Sequence, residues 1–292
     1  MAVTASLVKE LRERTGLGMM DCKRALEETS GDIELAIDNL RKNSALKAAK
    51  KAGRTTADGL LGLKVAADGK KAAMVEVNIE TDFAAKNEKF IAFVDEVLNV
   101  VFDTADDDLQ KLTSGALDAR RESLVQEIGE NISVRRAVCF TSPDGYIASY
   151  KHGDDRKATL VELDGENAEI GRDIAMHVTA AQPLVVRSAD VAPDLIAKER
   201  EIFRTQAQDS GKPAEIVEKM VEGRIRKYLE EVSLLDQPFV KDDKTKVAAL
   251  LSSNKLDVRR FVRFEVGEGI DIPKEDFAAE VAAQVKGSQK SS

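Results

Sequence analysis

The residues best suited to chemistry are scarce in this chain, and their spacing matches no metal or nucleophile site. Its two histidines, His152 and His177, have no cysteine, histidine or carboxylate at zinc-ligand spacing. Its two cysteines, Cys22 and Cys139, are too distant for a metal motif and give no disulfide framework, which suits a reducing compartment. We therefore expect no catalytic residue, no metal ligand and no cofactor.

Signatures of acyl transfer and of nucleotide binding are missing as well. The sequence has no G-x-S-x-G elbow and no G-x-G-x-x-G after a predicted strand. Gly211 and Lys212 are followed by Pro213, where a P-loop requires Ser or Thr. The many carboxylates reflect surface composition and identify no acid–base pair. The sequence therefore argues against an enzyme and favours a binding protein.

Composition narrows the class of partner. The chain has 292 residues, which predicts two or three domains. Acidic residues outnumber basic ones by 52 to 44 and there is no Trp for base stacking, so we expect no direct nucleic-acid contact. No apolar run approaches the roughly 20 residues of a membrane span, and no secretory signal is seen. We expect a cytoplasmic protein with no membrane contact.

The elements that must position a binding surface begin with a small helical bundle. Residues 1–40 predict three short helices, with Gly16 and Gly31 ending the first two and Asp32 capping the third. Residues 41–54, called the strap below, carry six basic residues and no acidic one. The strap is either a helix tail with a linker, which we favour, or a docking strip for an acidic partner or RNA. We assign residues 1–54 to one domain.

Two α+β halves follow, and the predicted fold class is α+β. Alternating apolar residues around Asp68-Gly69 predict a β-hairpin, followed by a helix that ends near residue 102. A second hairpin is expected across the turn at 143–145, joining a strand near 134–138 to one near 147–150, with a further strand and a helix to residue 182. This weak repeat of architecture indicates two related halves, which we assign to residues 55–141 and to residues 142–189 with 233–267.

A helical hairpin interrupts the second half. Residues 190–232 predict two antiparallel helices with a coiled-coil seam. The seam residues are expected to be Val221, Ile225, Tyr228 and Val232, facing Leu195 and Ile202. Residues 268–292 predict a C-terminal helical module that begins at Pro273. Its apolar stripe starts at Phe277, so we interpret the repeated DFAA sequence there as helix docking.

Two segments are more specific than any periodic pattern. Residues 15–26 have the sequence TGLGMMDCKRAL, and residues 80–86 have the sequence ETDFAAK. Both closely resemble the bacterial elongation factor Ts family, the guanine-nucleotide exchange factors for elongation factor Tu. Further stretches resemble the same family in the same order, namely 128–132, 149–153, 175–178 and 263–269. The chain departs from the family pattern at Ile79, often Cys, at Ala84, commonly Val, and over residues 103–118.

The resemblance implies a layout and a function. The N-terminal bundle is similar to a ubiquitin-associated domain, the helical hairpin is an insertion, and the last helix is a docking module. The implied partner is elongation factor Tu, GDP-bound and nucleotide-free, from which magnesium and GDP are displaced so that GTP can bind. A dimer of such heterodimers is one expected form. The residues alone leave open an RNA- or ribosome-associated module that uses the strap, or a chaperone-like adaptor that uses the hairpin.

The same resemblance assigns the binding residues. On pattern alone, Asp82 would be a helix N-cap and Phe83 a core residue. The resemblance instead makes Thr81, Asp82, Phe83 and Ala84, called the wedge segment below, an exposed element that enters the partner near its magnesium site.

Two further contacts are implied by the resemblance. One is a contact of the bundle, formed by Arg12, Met19, Met20 and Lys23, and the other is a contact formed by Ile128, Gly129 and His152. On pattern alone, the two methionines would be core filler and Gly129 a helix stop, and these alternatives stay open.

Overall fold

The computed structural model describes residues 3–208 and 213–271. The α-helices are α1 (Ala5–Thr15), α2 (Met19–Glu28), α3 (Ile33–Lys51), α4 (Asp82–Ala85), α5 (Glu88–Thr104), α6 (Leu109–Leu112), α7 (Gly115–Ile128), α8 (Ala168–Ala181), α9 (Pro193–Gln208), α10 (Ala214–Val232) and α11 (Val247–Ser253). The strands are β1 (Asp58–Val65), β2 (Lys71–Ile79), β3 (Ile132–Thr141), β4 (Tyr146–Lys151), β5 (Lys157–Leu163), β6 (Pro238–Phe239), β7 (Asp242–Lys246) and β8 (Val258–Glu265). These helices and small antiparallel sheets confirm the α+β class. The helix expected from Pro273 lies outside the described residues.

The N-terminal helices α1 to α3 form a bundle with a small core of its own. Gly16 ends α1 in the left-handed region at φ 71°, and the Asp32 side chain caps α3 by accepting from the Leu35 N–H at 3.0 Å. Both local predictions are confirmed. Leu11 and Leu26 are fully buried in its apolar cluster. Such a small core buries little apolar area, so we expect the bundle by itself to have modest stability.

The strap is a helix tail followed by a short linker, as favoured, but the tail is packed against the first half of the chain. Helix α3 continues to Lys51, so only residues 52–57 connect the bundle to the first strand. Its continuation packs on α7, where the Ser44 hydroxyl donates to Gln126 Oε1 at 2.7 Å and Ala48 is buried in the core of the first half. Small residues spaced i, i+4 let the two helices approach closely, which explains why the helix persists.

The first sheet has the strand order β1–β2–β3, with α5 and α7 packed against it. The hairpin between β1 and β2 is confirmed, and its turn has Gly69 at φ 67°. The hairpin expected across residues 143–145 is wrong, because β3 pairs with β2, with Met74 opposite Val138. The turn instead carries the chain to the second sheet. Turn residues predict a reversal, but they do not determine which strand becomes the partner.

The second sheet repeats the first in detail. Its order is β4–β5–β8, and α8 packs against it. Glu76 lies opposite Arg136 at a register shift in the first sheet, and Glu162 lies opposite Arg260 at a register shift in the second. The sequences around the two arginines, VRRAV at 134–138 and VRRFV at 258–262, also correspond. The repeat therefore extends to sequence, with its last strand displaced by the inserted hairpin.

The two sheets share a core. Apolar residues of both sheets form one buried cluster, which includes Leu61, Met74, Phe140, Ile147, Leu160 and Phe264. Glu76 is fully buried and pairs with Arg135 at 3.0 Å and with Arg136 at 2.5 Å. The same carboxylate accepts the Gly267 N–H at 3.0 Å, so the chain leaving β8 is fixed against the first sheet. The domain boundaries assigned from sequence remain a prediction.

Helices α9 and α10 are antiparallel, since Arg200 pairs with Glu222 and Arg204 with Glu218. The predicted seam is confirmed at Val221 and Ile225 of α10, and it differs on the facing helix α9. Its buried residues are Ala207, Val217, Val221 and Ile225, with Phe203 and Leu229 partly buried against them. Ile202 is exposed, so its place in the seam was wrong, and Phe203 takes that place instead. The expected tip at residues 210–213 lies mostly outside the described residues.

Candidate partner-binding site

The wedge segment lies where β2 ends and the four-residue helix α4 begins. Thr81 is extended at φ −128°, and its hydroxyl accepts the Ala84 N–H at 3.2 Å. The N-cap is therefore Thr81, and the interpretation of Asp82 as the cap is wrong. Ala84 and Ala85 are buried in the core of the first half. Because residues two apart in an α-helix lie on roughly opposite sides, burial of these alanines turns Asp82 and Phe83 outward.

Phe83 is the most exposed large apolar side chain in the described part of the chain, with 81% of its surface accessible. The interpretation of Phe83 as a core residue is wrong. A phenylalanine held in water forgoes most of the free energy that its burial provides. A partner that covered the ring would recover this free energy, so Phe83 is a candidate contact residue.

Lys86 screens the exposed pair. Its ammonium donates to Asp82 Oδ2 at 2.9 Å and lies 5.5 Å from the centroid of the Phe83 ring. The hydrogen bond from Lys86 lowers the pKa of Asp82, so the carboxylate is ionised at neutral pH. The site thus presents an apolar knob beside a carboxylate that can exchange its lysine for a partner's donor or cation.

The turn after α7 holds the wedge segment from behind. Glu130 accepts two hydrogen bonds from Thr81, one from the backbone N–H at 3.0 Å and one from the hydroxyl at 2.8 Å. The Asn131 N–H donates to Glu80 Oε1 at 2.6 Å. Sequence reasoning missed Glu80 and Glu130. The available signal was an acidic residue directly after a glycine that ends a helix, but nothing in the sequence pairs Glu130 with Thr81.

The residues of the second implied contact are divided between two places. Gly129 ends α7 at φ 89°, which confirms the helix-stop interpretation, and Ile128 is partly buried against the core. Both therefore lie next to Glu130 and the wedge segment. His152 is exposed on the second sheet, with its Nδ1 3.3 Å from the Tyr150 hydroxyl. Its turn reaches the first sheet where Leu61 N–H donates to the Asp155 carbonyl at 2.9 Å.

The bundle carries a separate exposed apolar patch. Met19 and Met20 form the first turn of α2 after Gly18, and their surfaces are 57% and 70% accessible. The core-filler interpretation of these methionines is wrong. Arg12 and Lys23 are exposed as well, with Lys23 3.7 Å from Glu27. Flexible methionines beside cations suit contact with an irregular surface that is partly acidic.

The buried histidine, His177, is held by hydrogen bonds within the chain. His177 is buried, its Nε2 lies 2.9 Å from Gln237 Oε1, and its Nδ1 accepts the Val240 N–H at 3.1 Å. Burial lowers the pKa of His177, so the ring is neutral and structural. Over residues 3–208 and 213–271, no group of three His, Cys, Asp or Glu side chains could hold a metal ion. In the same ranges, no helix has the length and apolarity that crossing a bilayer requires.

Comparison with known proteins identifies the family. The family model described as elongation factor TS matches residues 80–268, well over half of the chain. The chain belongs to the elongation factor Ts family. The matched range begins one residue before the wedge segment and includes both arginine pairs and the helical hairpin.

Relatives of this family extend the likeness over the whole chain. "Elongation factor Ts" of Saccharophagus degradans is 55% identical over 289 residues, covering 99% of this chain and 100% of the relative. The protein of the same name from Hahella chejuensis is 55% identical over 286 residues, covering 98% and 99%. That from Cellvibrio japonicus is 53% identical over 290 residues, covering 99% of both. The likeness therefore includes the bundle, and the resemblance to this family is confirmed.

Proposed function

We propose that this chain is a translation elongation factor that binds elongation factor Tu and promotes release of its GDP, so that GTP can bind. Family membership over nearly the full length supports the proposal. The observation that carries it is Phe83, which is held outward on a short capped helix while its neighbours Ala84 and Ala85 are buried. An apolar side chain in that position gains its stabilisation only when a partner covers it.

The proposed mechanism is differential affinity. An exchange factor must bind the nucleotide-free partner more tightly than the GDP-bound partner, and by reciprocity it then weakens GDP by the same factor. Phe83 would enter near the partner's magnesium site and hold displaced groups apart, while Asp82 would supply an anchor beside it. Full burial of a phenylalanine gives about 1.5–3 kcal/mol. Since about 1.4 kcal/mol corresponds to a factor of ten, this one side chain can account for roughly one to two decades of coupling.

The methionine patch serves as a second attachment in this proposal. Met19 and Met20, with Arg12 and Lys23 beside them, would contact another part of the same partner. Linking two contacts in one chain raises the effective concentration of the wedge segment at its site. Ile128 and Gly129 would lie at the edge of the wedge contact, and His152 would reach the partner from the second half.

Further parts of the proposal concern chemistry, place and assembly. The chain would act by binding and not by catalysing a chemical reaction, in the cytoplasm where translation occurs, with a dimer of heterodimers as one form of the complex. No specific observation favours the RNA-associated alternative. Two of the strap's cations are engaged within the chain, since Lys51 donates to the Gly129 carbonyl and Arg54 lies 3.4 Å from Glu80 Oε1.

The test is release of fluorescent GDP from purified elongation factor Tu, with and without this chain. We expect substoichiometric amounts of the chain to accelerate release by orders of magnitude. Equal rates with and without it would refute the proposal. RNA binding whose affinity falls steeply with salt concentration would then support the alternative.

A further inference from the structure

One carboxylate, that of Glu130, holds the first residue of the wedge segment through two hydrogen bonds. We propose that Glu130 is a positioning residue for nucleotide exchange, which holds Phe83 in the conformation that enters the partner. This inference rests on the proposed function and adds to it the residue that orients the wedge segment.

Helix α4 needs such support. It has only four residues, Asp82–Ala85, and a single helical turn is unstable in water without tertiary contacts. Ala84 and Ala85 hold its inner side, but Phe83 itself is four-fifths exposed. A mobile segment loses conformational entropy when it becomes ordered, so in a complex already held by the methionine patch a mobile wedge segment is inserted for a smaller fraction of the time. Fixing the segment beforehand removes that loss.

Glu130 fixes both the backbone and the side chain of Thr81. One carboxylate oxygen accepts the Thr81 N–H at 3.0 Å, and the other accepts its hydroxyl at 2.8 Å. Because the hydroxyl proton is directed to Glu130, an oxygen lone pair remains for the Ala84 N–H at 3.2 Å. The carboxylate therefore sets the rotamer that caps α4. Hydrogen bonds to an ionised acceptor are stronger than neutral ones, which suits an anchor.

Glu130 is itself held rigidly. It follows Gly129, whose φ of 89° ends α7 in a conformation that other residues adopt only with strain. It precedes Asn131, which is 5% exposed and donates from its backbone to Glu80 and from its side chain to the Arg54 carbonyl at 3.0 Å. The Glu80 carboxylate also lies 3.4 Å from the Arg54 guanidinium. The carboxylate that orients Thr81 is therefore connected to the end of the strap.

The bonds of Glu130 serve the wedge segment and not the core. In the described part of the chain, Thr81 is the only hydrogen-bond partner of the Glu130 side chain. The core below is formed by Ile132, Ile79 and the apolar faces of α5 and α7. Removing the Glu130 carboxylate should thus free the wedge segment and leave the packing unchanged.

The first test is the rate of stimulated GDP release at saturating concentrations of the exchange factor. We expect Glu130→Ala to lower the maximal rate about tenfold and to change the half-saturating concentration less than twofold, because the methionine patch still binds. Glu127→Ala is the matched control. It removes a carboxylate of the same helix end that pairs with Lys89, and it should leave release unchanged. The isosteric variant Thr81→Val should reproduce the defect of Glu130→Ala, whereas Thr81→Ser, which keeps the hydroxyl, should release GDP at the parent rate.

The second test needs no partner. The chain has no Trp, so Phe83→Trp introduces a single fluorescent reporter in the wedge segment. In that background, Glu130→Ala and Thr81→Val should lower the fluorescence anisotropy of the introduced indole, and Thr81→Ser and Glu127→Ala should not. If Glu130→Ala fails to fold, the Thr81→Val and Thr81→Ser pair decides.

The results separate this inference from the proposed function. Unchanged anisotropy together with unchanged release in Thr81→Val would overturn the role of Glu130. A parent chain that fails to stimulate release refutes the proposed function, while the anisotropy still shows whether Glu130 holds the wedge segment.

Discussion

Replacing Phe83 with alanine separates a binding role from a packing role more sharply than any other single change. In the free chain, 81% of the side chain is exposed, so about one-fifth of the surface contributes to folding. With about 1.5–3 kcal/mol for full burial, that fraction is worth about 0.3–0.6 kcal/mol. The variant should fold normally, with a free energy of unfolding only slightly below that of the parent.

The effect on the partner should be much larger. The remaining four-fifths of the surface, if closed in the complex, is worth about 1.2–2.4 kcal/mol on the same scale. At about 1.4 kcal/mol for each factor of ten, stimulated GDP release should slow roughly 7- to 50-fold. The assay is stopped-flow release of fluorescent GDP from elongation factor Tu at saturating exchange factor, with urea denaturation of the same preparations.

Phe90→Ala is the matched control, because Phe90 is fully buried in α5 a few residues further on. Truncation of a buried phenylalanine to alanine costs about 3–5 kcal/mol of stability. This variant should therefore be less stable, and its folded fraction should still stimulate GDP release. A folded Phe83→Ala variant that releases GDP at the parent rate would refute the wedge reasoning. A large loss of stability in Phe83→Ala would show that the side chain packs against its own chain after all.

The remaining predictions concern the hairpin, the buried ion pair and the buried histidine. Replacing residues 194–230 by a short Gly-Ser bridge should retain most GDP release. The 3-10 helix Ser188–Asp190, which precedes α9, contacts α10, so the two ends of the hairpin lie close together. Release at the uncatalysed rate by a folded variant would contradict this prediction. Glu76→Ala should lower the free energy of unfolding, measured by urea denaturation, by about 3 kcal/mol, since it leaves Arg135 and Arg136 without their buried carboxylate. Unchanged stability would show that these ion pairs are dispensable. Burial lowers the pKa of His177, so as the pH falls the histidine is protonated first in the unfolded chain, and stability present above about pH 6.5 should be lost. His177→Gln should flatten the dependence of the unfolding free energy on pH between about pH 7 and 5. A pH dependence equal to that of the parent would contradict this prediction.

Features that depend on neighbours along the chain were predictable from the sequence. The glycine at position 16 ends a helix, Asp32 caps one, and Asp68-Gly69 joins two strands, all as predicted. Each of these is decided within about five residues by φ preference or by a side chain that reaches a nearby N–H. The family motifs were readable for a related reason, since they consist of contiguous residues.

Features that depend on distant partners were not predictable from the sequence. β3 pairs with β2 and not with β4, although a turn sequence separates β3 from β4. The helical part of the strap was expected, but its packing on α7, which lies far along the chain, was not. The seam of the hairpin includes Phe203 in place of its neighbour Ile202, because the facing helix decides which side is covered.

The wedge segment shows most clearly what only the tertiary structure decided. The sequence identified Asp82 and Phe83 by their resemblance to a family, but the pattern of residues favoured a cap and a core side chain. The alternative was decided by Glu130, 49 residues away, which accepts two bonds from Thr81 and makes Thr81 the cap. With the cap at Thr81, the two alanines that follow face the core and Phe83 faces the solvent. Local preference permits either arrangement, and only the long-range hydrogen bonds and the packing of the alanines select one.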